Sequence, residues 1–390
     1  MPTLTLPSPE TLFTFTSIIF KDELHLKRVQ SLADGATGIL HASSLGIHAI
    51  GNGLAFAKGL DPKHTTKQID RTLSNDGIDP DDTDRAWIRH HLAGKSHVFV
   101  ILDWSDFDKD GQTTLMLALR THHGRATPLL WKTYLKSELK NNRNDYEDTL
   151  LSRFKRFLPE GVRVTVMADR GFFDHRFCQF IKETLGFDYL IRMKKNIRVE
   201  TEIGAVKAAG AWVEAGGQVK VLRRAKVTGE RYEVGAVIVV HDAGMKDPWL
   251  LVSSDPLVNG REAVENYGKR FTIEEWFRDL KDLRFGMGMS WGQISEPSRR
   301  DRLILMASMA SHLLTLLGEA GERCGLGKSF QRRGKIKRRM MSLFNQGCFW
   351  YQQIPTMPLE KLKRLMEAFG ELLLEYPLYR QALGIKCEIE

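Results

Sequence analysis

Apolar positions near the start of the chain recur at helical spacing. In LHLKRVQSLADGATGIL, Leu24, Leu26, Val29, Leu32 and Ala36 fall on one face. SSLGIHAIGNGL, HTTKQIDRTLSND and DTDRAWIRHHLAG continue as short helices, so residues 22–93 read as a small all-α unit. Ser43 and Asp82 are the expected N-caps, because their side chains can accept from free first-turn N–H groups. The texture changes at residue 96. HVFVILD, TTLMLALRTH and ATPLLWKTYL are short apolar runs that predict a meander of strands. NDYEDTLLSRFKRFLP predicts a helix, VRVTVMADRGFF a strand, HRFCQFIKETLG a helix closed by Gly186, and FDYLIRMKK a strand. The fold class expected is α/β, a mixed sheet with helices.

Residues 196–258 are rich in Gly and Val and carry alternating runs such as QVKVLRRAKV and YEVGAVIVVHD, which suggest a β-rich insertion. From residue 261 the pattern is helical, apart from expected loops near 285–297 and 342–358. Leu303–Gly318 carries no charge but contains Ser308, Ser311, His312 and Thr315, and falls short of the roughly 20 apolar residues of a membrane span. A buried helix is expected there.

Composition narrows the class. The chain has 390 residues, 42% hydrophobic and 27% charged, which suits a globular protein of two to three domains, or one with large insertions. Disordered, collagen-like and disulfide-scaffold classes are excluded. The four cysteines show neither CxxC nor zinc-ligand spacing, so reduced thiols are expected. The first 20 residues lack Lys and Arg, hence the expectation of a cytoplasmic protein without a secretory signal. A net charge of +9 hints at a polyanionic partner, but its distribution is uneven. Residues 1–95 hold 10 basic and 11 acidic groups, whereas Lys328, Arg332, Arg333, Lys335, Lys337, Arg338 and Arg339 form a cluster without an acid. That cluster is either a solvated face or a contact for DNA phosphates.

Candidate chemistry begins with acids at strand ends, Asp103 in VILDW and Asp169 in VMADRG. A carboxylate after a buried run needs compensation, from a turn, a helix N-terminus or a divalent cation. At about 100° per residue on one helix, Tyr267, Arg270, Glu274 and Lys281 share an arc of about 60°. Ile273, Trp276, Phe277 and Leu280 take the neighbouring, core-facing arc, and Glu275 points elsewhere. The polar stripe is either a solvated face with an Arg270–Glu274 pair or a ridge that binds phosphate and metal.

The string Tyr267, Arg270, Glu274 and Lys281 in YGKRFTIEEWFRDLK resembles the YREK signature of DDE transposases of bacterial insertion sequences of the IS-four family. ILDWSDFD, MADRGFFD and DPWLLVSSDP resemble further family blocks in order, and ELHLKRVQSL and KQIDRTLSN resemble the helical DNA-binding region of its Tn-ten-like branch. The resemblance covers roughly residues 20–320. It implies an RNase H-like sheet with a β-rich insertion, flanked by helical N- and C-terminal regions. The implied divisions are 1–95 for DNA binding, 96–195 and 259–322 for the two parts of the catalytic domain, 196–258 for the insertion, and 323–390 for a helical C-terminal region.

By the same resemblance, Asp103, Asp169 and Glu274 would hold two Mg²⁺ ions, with Mn²⁺ as a substitute, for nicking, hairpin formation, hairpin opening and strand transfer. Tyr267, Arg270 and Lys281 would grip phosphates, and Arg170 would do so or form a structural salt bridge. Trp249 matches the position whose ring receives a flipped base, or is a core residue at a strand start. The implied partners are double-stranded DNA, as transposon ends and target, and a second copy of the chain in a synaptic homodimer; no membrane is implied. Rival readings are another RNase H-like nuclease or integrase, and a DNA-binding protein without catalysis, such as a decayed or domesticated copy.

Two motifs carry less than they suggest. Asp106, Asp108, Asp110 and Gly111 spell the start of a calcium loop, but Leu117 stands where its closing Glu is needed, so a hairpin turn is expected. Gly325–Ser329 imitates the end of a P-loop without its earlier Gly. The pairs His90/His91 and His122/His123 lack ligand spacing along the chain and are expected at the surface.

Overall fold

The computed structural model describes residues 8–214, 216–330 and 339–382. Five helices come first, α1 (Pro9–Phe20), α2 (Leu26–Ala42), α3 (Ile47–Lys58), α4 (Pro62–Leu73) and α5 (Pro80–Leu92). Asp61 caps α4 by accepting from the Lys63 and His64 amides at 2.9 and 3.1 Å, and Asp79 caps α5 from the Asp81 amide at 2.7 Å. Each cap precedes a Pro whose fixed φ suits the first helical position. The expected caps fall elsewhere. Asp82 lies inside the first turn of α5, and Ser43 closes α2 in the left-handed region. Helices α2 and α3 cross closely, since a Cβ on Gly38 would lie 2.4 Å from the Ile50 carbonyl oxygen.

The central sheet begins with β1 (His97–Phe107), β2 (Gln112–Leu119) and β3 (Thr127–Leu135), the expected meander. The turn between β1 and β2 contains Asp108 and Asp110, so the calcium-like string is indeed a hairpin turn. Then come α6 (Arg143–Phe157), β4 (Arg163–Ala168), α7 (His175–Gln179) and β5 (Asp188–Arg192). A π-turn extends α7, and Gly186 follows it at φ 69°. Strands β1, β4 and β5 are parallel neighbours.

Residues 196–258 are β-rich, and their strands divide between two sheets. β6 (Arg198–Glu200), β7 (Val206–Ala208), β9 (Lys226–Val227) and β10 (Tyr232–Glu233) form a small sheet. β8 (Lys220–Arg223), β11 (Ala236–Val240) and β12 (Trp249–Ser253) instead extend the main sheet, in the order β3-β2-β1-β4-β5-β12-β11-β8.

The remaining helices are α8 (Gly260–Gly268), α9 (Thr272–Lys281), α10 (Pro297–Arg323), α11 (Leu343–Gln353), α12 (Leu359–Leu374) and α13 (Pro377–Ala382). Two expectations are corrected here. Residues 343–353 form α11 instead of a loop, because Ser342 caps it and Leu343, Phe344 and Trp350 are buried. The stretch from Tyr267 to Lys281 is not one helix, since a 3₁₀ turn at Lys269–Phe271 separates α8 from α9.

Period-two alternation divides the core. Val100, Leu102, Leu115, Leu117 and Val166 face one side with α6 and α7. Ile101, Met116, Ala118 and Met167 face the other, where one continuous core reaches the N-terminal helices, α9, α10 and α12. The sheet is thus covered on both faces, which explains why every residue of β2 is buried. Helix α10 is long and apolar enough to cross a membrane by length and composition, yet 94% of its apolar window is buried inside the protein. Arg302 ties it to α4 by donating to the Leu73 carbonyl at 2.9 Å. His90 and His91 are 1% and 4% exposed, against the expected surface placement, because their helix turns them inward onto α10. Among the described residues Cys178, Cys324 and Cys348 are free thiols; Cys387 lies outside them.

Candidate active site

Two acids are brought together by strand register. In the β1–β4 pair Leu102 stands opposite Ala168, so the next positions are Asp103 and Asp169. Adjacent strands lie about 4.8 Å apart, which makes these carboxylates neighbours. Asp169 follows the last residue of β4, as expected, whereas β1 continues past Asp103 to Phe107, paired with β2 alone. Both carboxylates also accept local amides: Trp104 N–H donates to Asp103 at 3.0 Å and Gly171 N–H to Asp169 at 2.7 Å.

Helix α9 supplies the third acid. Ile273, Trp276, Phe277 and Leu280 are buried as the pattern predicts, which presents Glu274 along the opposite edge. Arg270, in the 3₁₀ turn, joins the acids: it donates to Glu274 at 2.7 Å and to Asp103 at 3.4 Å. Its side chain is only 7% exposed, while that of Glu274 is 51% exposed. Glu275 faces away, paired with Arg125 and Arg278. Burial pushes the Asp103 carboxyl up to about 6; Arg270 opposes this, and the charges of Asp169 and Glu274 reinforce it.

The other residues of the stripe separate. Tyr267 is 1% exposed, and its hydroxyl donates to the Ala168 carbonyl at 3.3 Å, just before Asp169. Lys281 lies two turns beyond Glu274 and donates to Ser105 Oγ at 2.7 Å and the Asp106 carbonyl at 2.6 Å. Burial lowers its ammonium to about 8. Trp249 opens β12 half-buried, its ring 5.2 Å from that of Tyr267 and 6.1 Å from that of Phe271. Arg170 is exposed and makes no ion pair among the described residues. In the C-terminal cluster, Arg339 holds Glu322 through two bonds of 2.7 Å; Arg332, Arg333, Lys335, Lys337 and Arg338 lie outside the described residues.

Sequence reading missed the residues that fix α9. Arg125 donates to the buried Asp279 at 2.6 Å across 154 positions of chain, a separation that leaves no local signal. Ser105, the partner of Lys281, is equally silent.

The donor set fits a divalent cation. Arg270 bridges Asp103 and Glu274, and the charges of Asp169 and Glu274 add to the burial that raises the Asp103 carboxyl. Hard oxygen donors of this kind suit Mg²⁺ or Mn²⁺.

No curated protein is found to match the chain. Residues 97–290 match the family described as the transposase DDE domain, a span that runs from the first residue of β1 to beyond α9 and includes all three acids. With the large mixed sheet and its flanking helices, which agree with an RNase H-like fold, this match supports a DDE transposase family for the chain.

Proposed function

We propose that this chain is a cut-and-paste transposase of an insertion sequence, of the IS-four type, with Asp103, Asp169 and Glu274 as its metal-binding catalytic acids. What supports the reading is that Asp103 and Asp169 follow paired positions of β1 and β4, that Arg270 joins Asp103 to Glu274 of α9, and that all three acids fall within the segment that matches the transposase DDE domain. When bound, a pair of Mg²⁺ ions would supply activation of the attacking oxygen and stabilisation of the leaving oxygen.

The chain's own groups set the frame for that chemistry. Tyr267 holds the end of β4 through the Ala168 carbonyl and so positions Asp169. Arg270 fixes Glu274 against Asp103 and shares its charge with a phosphate as DNA enters. Arg170, exposed beside Asp169, and Lys281 contact neighbouring phosphates. Trp249 receives a flipped base when the DNA end bends into a hairpin. Helices α1–α5 bind terminal inverted repeats, two copies pair the ends, and the basic residues 328–339 contact the DNA backbone.

The test is cleavage of duplex DNA carrying the element's ends, with Mg²⁺, by the intact chain and by Glu274→Gln. Loss of cleavage with end binding retained supports the reading. A fully active Glu274→Gln protein overturns the assignment of the acids.

A further inference from the structure

A second cluster of potential ligands lies away from the acids. His90 and His91 sit near the end of α5, and His312 lies within α10. One ligand nitrogen from each falls within 4.8 Å of the others. The rings are 1%, 4% and 8% exposed. Among the described residues, both nitrogens of His90, Nε2 of His91 and Nε2 of His312 have no hydrogen-bond partner. Among the described residues no carboxylate pairs with any of the three, although buried polar atoms are normally satisfied. Burial drives His90 down to about 3, and drives His91 and His312 well below their ordinary value, aided by their neighbouring histidines. All three are therefore neutral near pH 7, the form in which an imidazole binds a metal.

We propose that His90, His91 and His312 form a binding site for one divalent transition-metal ion of the zinc class, separate from the carboxylate site. Imidazole nitrogens select Zn²⁺, Co²⁺ or Ni²⁺ over Mg²⁺, which prefers oxygen. A tetrahedral zinc site sets its nitrogens about 3.3 Å apart, from Zn–N bonds of about 2.0 Å, so modest side-chain rotations close the present spacing. Three protein ligands leave one position open. A cavity of about 330 Å³ borders all three histidines and can supply a water there. The bound ion would clamp the last of the N-terminal helices to α10, the helix that follows the matched segment. Adjacent histidines lack ligand spacing along a helix, and it is His312, more than 200 positions away, that completes the set.

The test uses the full chain, stripped with a chelator, exposed to Zn²⁺ and dialysed, with metal measured by elemental analysis. About one equivalent of zinc should remain in the wild type and in Asp103→Asn/Glu274→Gln, and fall about tenfold or more in His91→Gln/His312→Gln. Replacement by Co²⁺ should give the visible absorption of a tetrahedral site in the wild type, a readout that stands even where the histidine variant does not fold. Wild-type protein that retains no zinc and shows no cobalt band overturns the proposal and leaves a packed ring cluster. Zinc lost with the carboxylate variant instead also overturns it, by placing the ion at the acids.

Discussion

The carboxylate site and the histidine cluster solve opposite electrostatic problems. At the carboxylate site, Asp103 and Asp169 follow paired positions of the central strands β1 and β4, with Arg270 between Asp103 and Glu274, and Glu274 half open to solvent. In the cluster, ionisable rings are stripped of charge by burial and surrounded by Phe15, Trp87 and Tyr376. Carboxylate oxygens suit a hard cation, whereas uncharged imidazoles offer lone pairs that suit a softer one. The contrast shows that burial alone does not define a site; what matters is which form of the group burial favours.

The largest expected effect lies at the acids. Glu274→Gln should lower DNA cleavage at least about a thousandfold, the scale of removing one preorganised charge stabiliser. If Glu275→Gln shows the loss instead, the register of α9 on the site is wrong.

Next comes the clamp behind α9. Arg125→Ala leaves Asp279 buried without its partner and should cost about 4 kcal/mol, read as a lower Tm. An unchanged Tm would mean that the Arg125–Asp279 pair does not hold α9.

Acidity should pull the two regions in opposite directions in metal-free protein. Asp103 titrates near 6 when folded against an ordinary 3.8, so the folded state holds its proton longer and stability from this group declines as pH rises from 3.8 to 6. That shift corresponds to at most about 3 kcal/mol, and Asp103→Asn should remove the decline. The histidines do the reverse. His90 resists protonation down to about 3, so stability declines as pH falls below 6.5, and substitution of the cluster should flatten that limb. Denaturation followed across pH 3–7 distinguishes the two slopes, and equal slopes in wild type and Asp103→Asn would contradict the first.

The smallest effect concerns Trp249. Its replacement by Ala should slow hairpin formation about tenfold more than first nicking, the scale of one lost base–ring stack. Equal slowing of both steps would assign the ring to packing against Tyr267 and Phe271.

Much of the α/β frame was legible in the chain because period and alternation are local. The meander, the strand before Asp169 and the apolar stripe of α9 follow from such patterns, and so does the burial of Leu303–Gly318. The Tyr267–Lys281 stripe presumes one straight helix, and the chain breaks it. The 3₁₀ turn moves Tyr267 into the core and leaves Arg270 and Glu274 at the acids, with Lys281 held on Ser105 and Asp106. Helix continuity depends on what each turn packs against, and the pattern alone does not contain that.

Sequence by itself determined the residue types capable of chemistry, the acids after apolar runs and the cationic positions around Glu274, since these are written in consecutive letters. Tertiary structure alone decided how they are arranged in space. Strand register set Asp103 beside Asp169, Arg125 fixed α9 from 154 positions away, and the packing of α5 on α10 turned two histidines expected at the surface into a buried triad with His312. The physical reason is the same in each case: charge and coordination depend on distance in space, and only the packed core sets that distance.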